Sequence, residues 1–117
     1  MTRRTERINS QLREEISDLL RRSMKDPRIG GLVSITEVDV SPDLRQAKVY
    51  VSVLGTEEEK LATFEALKAA ARYLQRELRG RLKMRRTPEL RFMHDESLEE
   101  GARMLSLLQE TQEGRTP

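Results

Sequence analysis

The chain has one histidine, His94, and it stands beside Asp95 and Glu96 in a 117-residue sequence. Read as chemistry, His94 is a general base oriented by a neighbouring acid. Adjacent strand residues point to opposite faces, however, and no serine, cysteine or second histidine stands at a partnering distance. A histidine at a strand end beside a helix cap explains the string without catalysis. Asp95, Glu96, Glu99 and Glu100 could attract a divalent cation, but their spacing is not that of an EF-hand loop. The absence of cysteine excludes disulfides, thiolate nucleophiles and iron–sulfur ligation, and a single histidine excludes a His-based metal cage. No Walker A loop or GxGxxG string occurs. The sequence therefore reads as a non-enzyme that needs no cofactor.

What the chain has instead is charge. Charged residues make up 36%, against about 25% in an ordinary globular domain. The net value is only +2, but it hides a segregation. Residues 72–91 carry eight basic and two acidic side chains, while residues 92–117 carry two and six. Arg72, Arg76, Arg79, Arg81, Lys83, Arg85, Arg86 and Arg91 form the basic run, with Glu77 and Glu89 as the acids within it. A solvated helix face would interleave carboxylates at i+3 or i+4 for support. This excess is uncompensated, and polyanions are the usual readers of such a field.

The elements that must carry these charges follow from periodicity. Ile8, Leu12, Ile16, Leu19 and Leu20 draw one stripe of an amphipathic helix from Arg3 to Met24, which Asp26-Pro27 ends. Gly30-Gly31 gives a turn. From Leu32 to Val40 the period becomes two, with a phase slip between Ile35 and Val38 that fits either a bulge or burial on both faces. Ser41-Pro42-Asp43 is a turn, and Ala47, Val49, Val51 and Val53 alternate along a second strand, so the two make an antiparallel hairpin. Thr56 with Glu59 is a capping box. It opens an apolar stripe through Leu61, Phe64, Leu67, Ala71, Leu74, Leu78 and Leu82. One helix from Glu57 to Lys83 would be about 40 Å long, whereas a domain of this size is about 30 Å across, so the helix either protrudes or breaks. Thr87-Pro88 stops it, and Leu90 and Phe92 mark a third strand. Ser97 with Glu100 reads as a second capping box, opening a helix that buries Leu98, Leu105 and Leu108. The class is α+β, a three-stranded sheet with helices over one face. No apolar run approaches the ~18–20 residues of a membrane span, and Met1-Thr2-Arg3-Arg4 is not a signal-peptide start. A cytoplasmic protein is expected.

Several strings, taken in order, carry a resemblance. They are Asp26-Pro27-Arg28, the stretch from Val38 to Leu44, Ala47-Lys48-Val49-Tyr50-Val51-Ser52, and Arg85-Arg86-Thr87-Pro88-Glu89-Leu90-Arg91-Phe92 followed by Asp95, Ser97 and Gly101. Together, over residues 3–108, they resemble the ribosome-binding factor A family. The resemblance implies a KH-like type II fold, α-β-β-α-α-β with a three-stranded sheet, plus a C-terminal helix. A kinked helix pair would stand in place of the GxxG loop, which this sequence lacks. The family's Ala-x-Gly junction falls on Ala70, Ala71 and Arg72, with arginine in the glycine's place. The ribosome-binding domain is then 1–108, and residues 109–117, from Gln109 to the closing Gly-Arg-Thr-Pro, read as a frayed, flexible tail. The implied function is binding of the free small (30S) ribosomal subunit and its 16S rRNA, in support of late maturation and processing of the 16S 5′ end. No small-molecule substrate or membrane is implied, and the chain is expected to be monomeric.

The candidate RNA contacts are Arg72, Arg76, Arg79, Arg81, Lys83, Arg85 and Arg86, with Arg3, Arg4 and Arg7 at the amino end and Arg45 and Lys48 on the hairpin. Residues 72, 76, 79 and 83 share one helical face. Aromatics are few (Tyr50, Phe64, Tyr73 and Phe92), so readout should be of shape and backbone rather than of stacked bases. A protein-interaction adaptor, or a general RNA chaperone of the same fold, is the competing expectation. Sedimentation with free small subunits separates the adaptor, and binding to unrelated RNAs separates the chaperone.

Overall fold

The computed structural model describes residues 3–22, 32–82 and 86–115. Its elements are α1 (Arg3–Arg22), β1 (Leu32–Val40), β2 (Gln46–Leu54), α2 (Glu57–Arg81), β3 (Glu89–His94) and α3 (Ser97–Arg115). Asp26-Pro27 and Gly30-Gly31, expected to end α1 and to turn the chain, lie outside the described residues.

The apolar stripe of α1 does what its spacing predicts: Leu12, Ile16 and Leu19 are fully buried, with Ile8 and Leu20 packed beside them. β1 and β2 pair antiparallel, and the register shifts between Ile35 and Glu37, leaving Thr36 as the bulged residue. The phase slip in the sequence has this physical cause. In the hairpin turn Asp43 Oδ1 accepts from Ser41 Oγ at 2.7 Å and from the Arg45 N–H at 3.1 Å. Leu44 there takes a left-handed φ of 61°. β3 adds to the other side of β2, in parallel, so the sheet order is β1-β2-β3.

One face of that sheet is apolar. Ile35, Val38 and Val40 of β1, Ala47, Val49, Val51 and Val53 of β2 and Leu90 of β3 meet Leu12, Ile16 and Leu19 of α1 and Leu67, Leu74 and Leu78 of α2. The opposite face presents Glu37, Lys48, Arg91 and Met93, which are exposed.

α2 opens on the predicted capping box. The Glu59 N–H donates to Thr56 Oγ1 at 3.1 Å, and the Thr56 N–H reaches back to Glu59 Oε1 at 3.4 Å. Gly55, just before it, has φ 155°, and a Cβ there would meet Glu59 Oε2 at 2.9 Å, so this entry into the cap suits glycine. From Glu57 the helix runs unbroken for 25 residues. The expected helix pair is thus a single element, and the junction at Ala70, Ala71 and Arg72 divides nothing. The reason is local: arginine at 72 keeps helical dihedrals where glycine would leave the backbone free to bend, and sharp kinks need Pro, Gly or a bulge. Gly80, the residue within the helix least suited to it, also stays inside it. The long helix is held against the core along its course, with Thr63, Leu67, Leu74 and Leu78 buried and Leu82 packed beside them, in a molecule that measures 65 × 36 × 19 Å.

α3 departs from expectation in three ways. Ser97 is its first residue rather than its cap, and the Ser97 N–H donates to Asp95 Oδ1 at 2.9 Å. The helix continues to Arg115, past Gln109 where the sequence predicts a tail. Leu105 and Leu108, expected to be buried, are 63% and 54% exposed, and Met104 and Leu107 are similarly open. α1 and α2 already fill the apolar face of the sheet, so α3 has no core surface left to cover. The side chain of Leu98 lies outside the described residues.

Candidate nucleic-acid interface

α2 projects Lys68, Arg72, Arg76 and Arg79 into solvent. Steps of four, four and three residues keep them on one stripe about 16 Å long, opposite the side that buries Leu67, Ala70, Leu74 and Leu78. Towards the helix N-terminus the stripe ends at the exposed Glu65. Beside it, between α2 and the edge strand β3, lies a cleft of about 760 Å³. Lys68, Ala71, Arg72 and Gln75 line it from the helix, and Glu89, Leu90, Arg91, Phe92 and Met93 from the strand. Gln75 Nε2 donates to the Thr87 carbonyl at 3.0 Å, which ties the helix wall to the segment entering β3. The arrangement offers cations on the rim and a partly apolar floor with one aromatic ring, Phe92.

The remaining expected cations fall into three groups. Arg86 is exposed just ahead of β3, and the Glu89 N–H donates to the Arg45 carbonyl at 2.8 Å, so Arg45 and Arg86 flank the start of that strand. Lys48 lies directly across the β2–β3 ladder from Arg91, on the exposed sheet face. Two like charges placed opposite each other repel, and a phosphate between them would relieve that repulsion. Arg4 and Arg7 are exposed on the first turns of α1. The Val40 N–H donates to Asn9 Oδ1 at 2.8 Å, which holds those turns against the hairpin end of the sheet. Arg3 begins α1, but its side chain lies outside the described residues, as do Lys83 and Arg85.

Arg81 does not join the stripe. Its guanidinium turns to α1 and meets Asp18 Oδ2 at 2.7 Å and Glu15 Oε2 at 3.0 Å. Hydrogen bonding to Asp18, then to Glu15, raises its pKa further, and the same bond from Arg81 holds the Asp18 carboxyl below the usual carboxylate range. Arg81 is a strut between two helices rather than an open phosphate ligand.

Lys68 and Gln75 are absent from the sequence-based set, and Arg91 is counted there as charge but not as a contact. Lys68 stands four residues before Arg72, so extending the helical stripe by one turn finds it. Gln75 carries no charge, and the cleft that gives it a role requires knowing that β3 lies alongside α2.

His94 sits elsewhere. Its ring packs edge-on against Phe64, with centroids 5.4 Å apart, and Nδ1 lies 3.5 Å from Glu96 Oε1. Asp95 is a structural acceptor: Thr36 Oγ1 of the bulge donates to its Oδ2 at 2.6 Å, and that bond is the main cause of its lowered pKa. Among the described residues, no group of three or more His, Asp or Glu gathers to hold a metal ion.

Comparison with known proteins identifies the family and the fold. A family model described as Ribosome-binding factor A matches residues 4–108. Ribosome-binding factor A of Acetivibrio thermocellus is 51% identical over 108 residues, 92% of this chain and 88% of that one. The crystal structure of ribosome-binding factor A from Thermus thermophilus superposes with a TM-score of 0.69 at 30% identity, covering 77% of this chain and 93% of that chain. A homology model of the Thermus thermophilus ribosome binding factor A, fitted into the cryo-EM map of a 30S complex, superposes with a TM-score of 0.62 at 31% identity, covering 75% and 91%. The α+β fold with its three-stranded mixed sheet is KH-like, as in those relatives.

Proposed function

The chain belongs to the ribosome-binding factor A family, and on that footing we propose that it binds the small ribosomal subunit through the backbone of 16S rRNA. It acts by binding rather than by catalysis, as a monomer in the cytoplasm, and it supports late subunit maturation and processing of the 16S 5′ end. The observation that carries the RNA contact is the exposed stripe Lys68, Arg72, Arg76 and Arg79 bordering the α2–β3 cleft. Four aligned cations at the spacing of a helix face suit a row of phosphates. Arg45, Arg86, Lys48 and Arg91 extend the same field around β3. Phosphate contacts position a protein without reading sequence, which fits a partner recognised by its folded shape.

The test is co-sedimentation of purified protein with free 30S subunits. Replacing Arg72, Arg76 and Arg79 by glutamate lowers affinity by at least about 100-fold at moderate salt, because three attractive terms become repulsive. The circular dichroism and melting temperature of that variant stay close to the parent's, since all three side chains are exposed. Undiminished pelleting with the subunit would refute this surface. The processing role is tested separately: cells lacking the protein accumulate 16S precursors with extended 5′ ends.

A further inference from the structure

The sheet has a second free edge. β1 lies on the side away from β3, and a groove of about 430 Å³ runs between it and α1. Arg13, Ser17 and Arg21 line the helix wall at intervals of four residues, so they share one side of α1. Leu20, Val33 and Ile35 supply an apolar floor, and Ser34 the far wall. The Val40 N–H, which donates to Asn9 Oδ1, is at the other end of the strand. Among the described residues, no strand pairs with the outer edge of β1.

We propose that this groove takes an acidic peptide in extended conformation, added as a fourth strand to the outer edge of β1. The dimensions agree. Arg13 and Arg21 are eight helical residues apart, about 12 Å, and side chains four residues apart on one face of a strand are about 13 Å apart. Carboxylates at peptide positions i and i+4 therefore meet the two guanidiniums, each able to bind a carboxylate with two parallel hydrogen bonds. The residue midway between them faces Ser17. Arg21 is available for this, since its contact with Asp18 is a long 3.8 Å and its side chain is largely in solvent. The bulge at Thr36 ends the regular edge and limits the added strand to a few residues. A nucleic acid has no peptide N–H and C=O groups with which to continue the ladder at the free edge of β1. The two edges are on opposite sides of the sheet, so the peptide groove is independent of the RNA-binding surface.

Amide chemical shifts of the ¹⁵N-labelled full chain, titrated with an acetylated Glu-Val-Thr-Val-Glu peptide, test it. The result expected is saturable shifts confined to residues 13–21 and 33–35. Arg13→Glu combined with Arg21→Glu weakens binding at least about tenfold while leaving distant amides in place. A second peptide, N-methylated at the nitrogens that face β1, retains its charge but cannot pair with the strand, and it also binds at least about tenfold more weakly to the unaltered protein. Equal binding of the methylated peptide would overturn strand addition. Tighter binding of an oligouridylate at the same amides would assign the groove to RNA and overturn the proposal as well.

Discussion

Arg81 shows how one residue's phase on a helix decides its role. It is nine positions after Arg72, two and a half turns, and so emerges on the opposite side of α2 from the exposed Lys68–Arg79 stripe. There it meets Glu15 and Asp18. The density of arginines in the sequence groups Arg81 with its neighbours. The half-turn offset separates it, and counting residues along the helix is enough to reveal that offset. Because hydrogen bonding from Arg81 depresses the Asp18 pKa, the pair contributes stability that is complete above the ordinary carboxylate range. That contribution is lost as pH falls through the lowered pKa. Asp18→Asn therefore melts below the parent at pH 7, and the gap closes on acidification below about pH 4, as thermal melts across that range would show. Arg81→Ala leaves 30S affinity essentially unchanged, in contrast to Arg76→Ala.

At the scale of elements, α2 and α3 behave oppositely although both carry leucines at helical spacing. Leu67, Leu74 and Leu78 have a sheet to meet, and they are fully buried. Leu74→Ala costs about 2–5 kcal/mol in denaturant unfolding, the usual range for a buried leucine. Leu105 and Leu108 are open to solvent, so replacing both by glutamine changes stability by no more than about 0.5 kcal/mol each. A period of 3.6 says that a helix has an apolar side; it does not say whether a partner is free to cover it. That is why α1, the hairpin, the bulge at Thr36 and the capping box at Thr56 are legible in the sequence, each being fixed by near neighbours along the chain. The unbroken course of α2 through Arg72, the parallel pairing of β3 and the bare leucines of α3 depend on what distant segments already occupy.

Over the whole molecule, the segregation of charge along the chain becomes a segregation in space. Arg72 and Arg91 line the α2–β3 cleft, Arg76 and Arg79 continue the helix stripe beside it while Arg81 turns away, and the hairpin brings Arg45 and Lys48 next to β3. The basic run in the sequence points to these residues as contacts. Folding places Lys68 and Arg91 beside them, on a helix stripe bordering an edge strand. If that stripe neutralises phosphates, each cation engaged contributes roughly −0.7 to −0.9 to the slope of log affinity against log salt. Four such contacts weaken binding by about two orders of magnitude between roughly 0.1 and 0.4 M salt. The most direct measurement is therefore the affinity for free 30S subunits across a salt series, for the parent and for Arg72→Ala with Arg76→Ala. A parent slope of about −3 is predicted, with a double-variant slope shallower by roughly 1.4–1.8. Parallel slopes for the two proteins, or an affinity indifferent to salt, would contradict phosphate binding by this stripe.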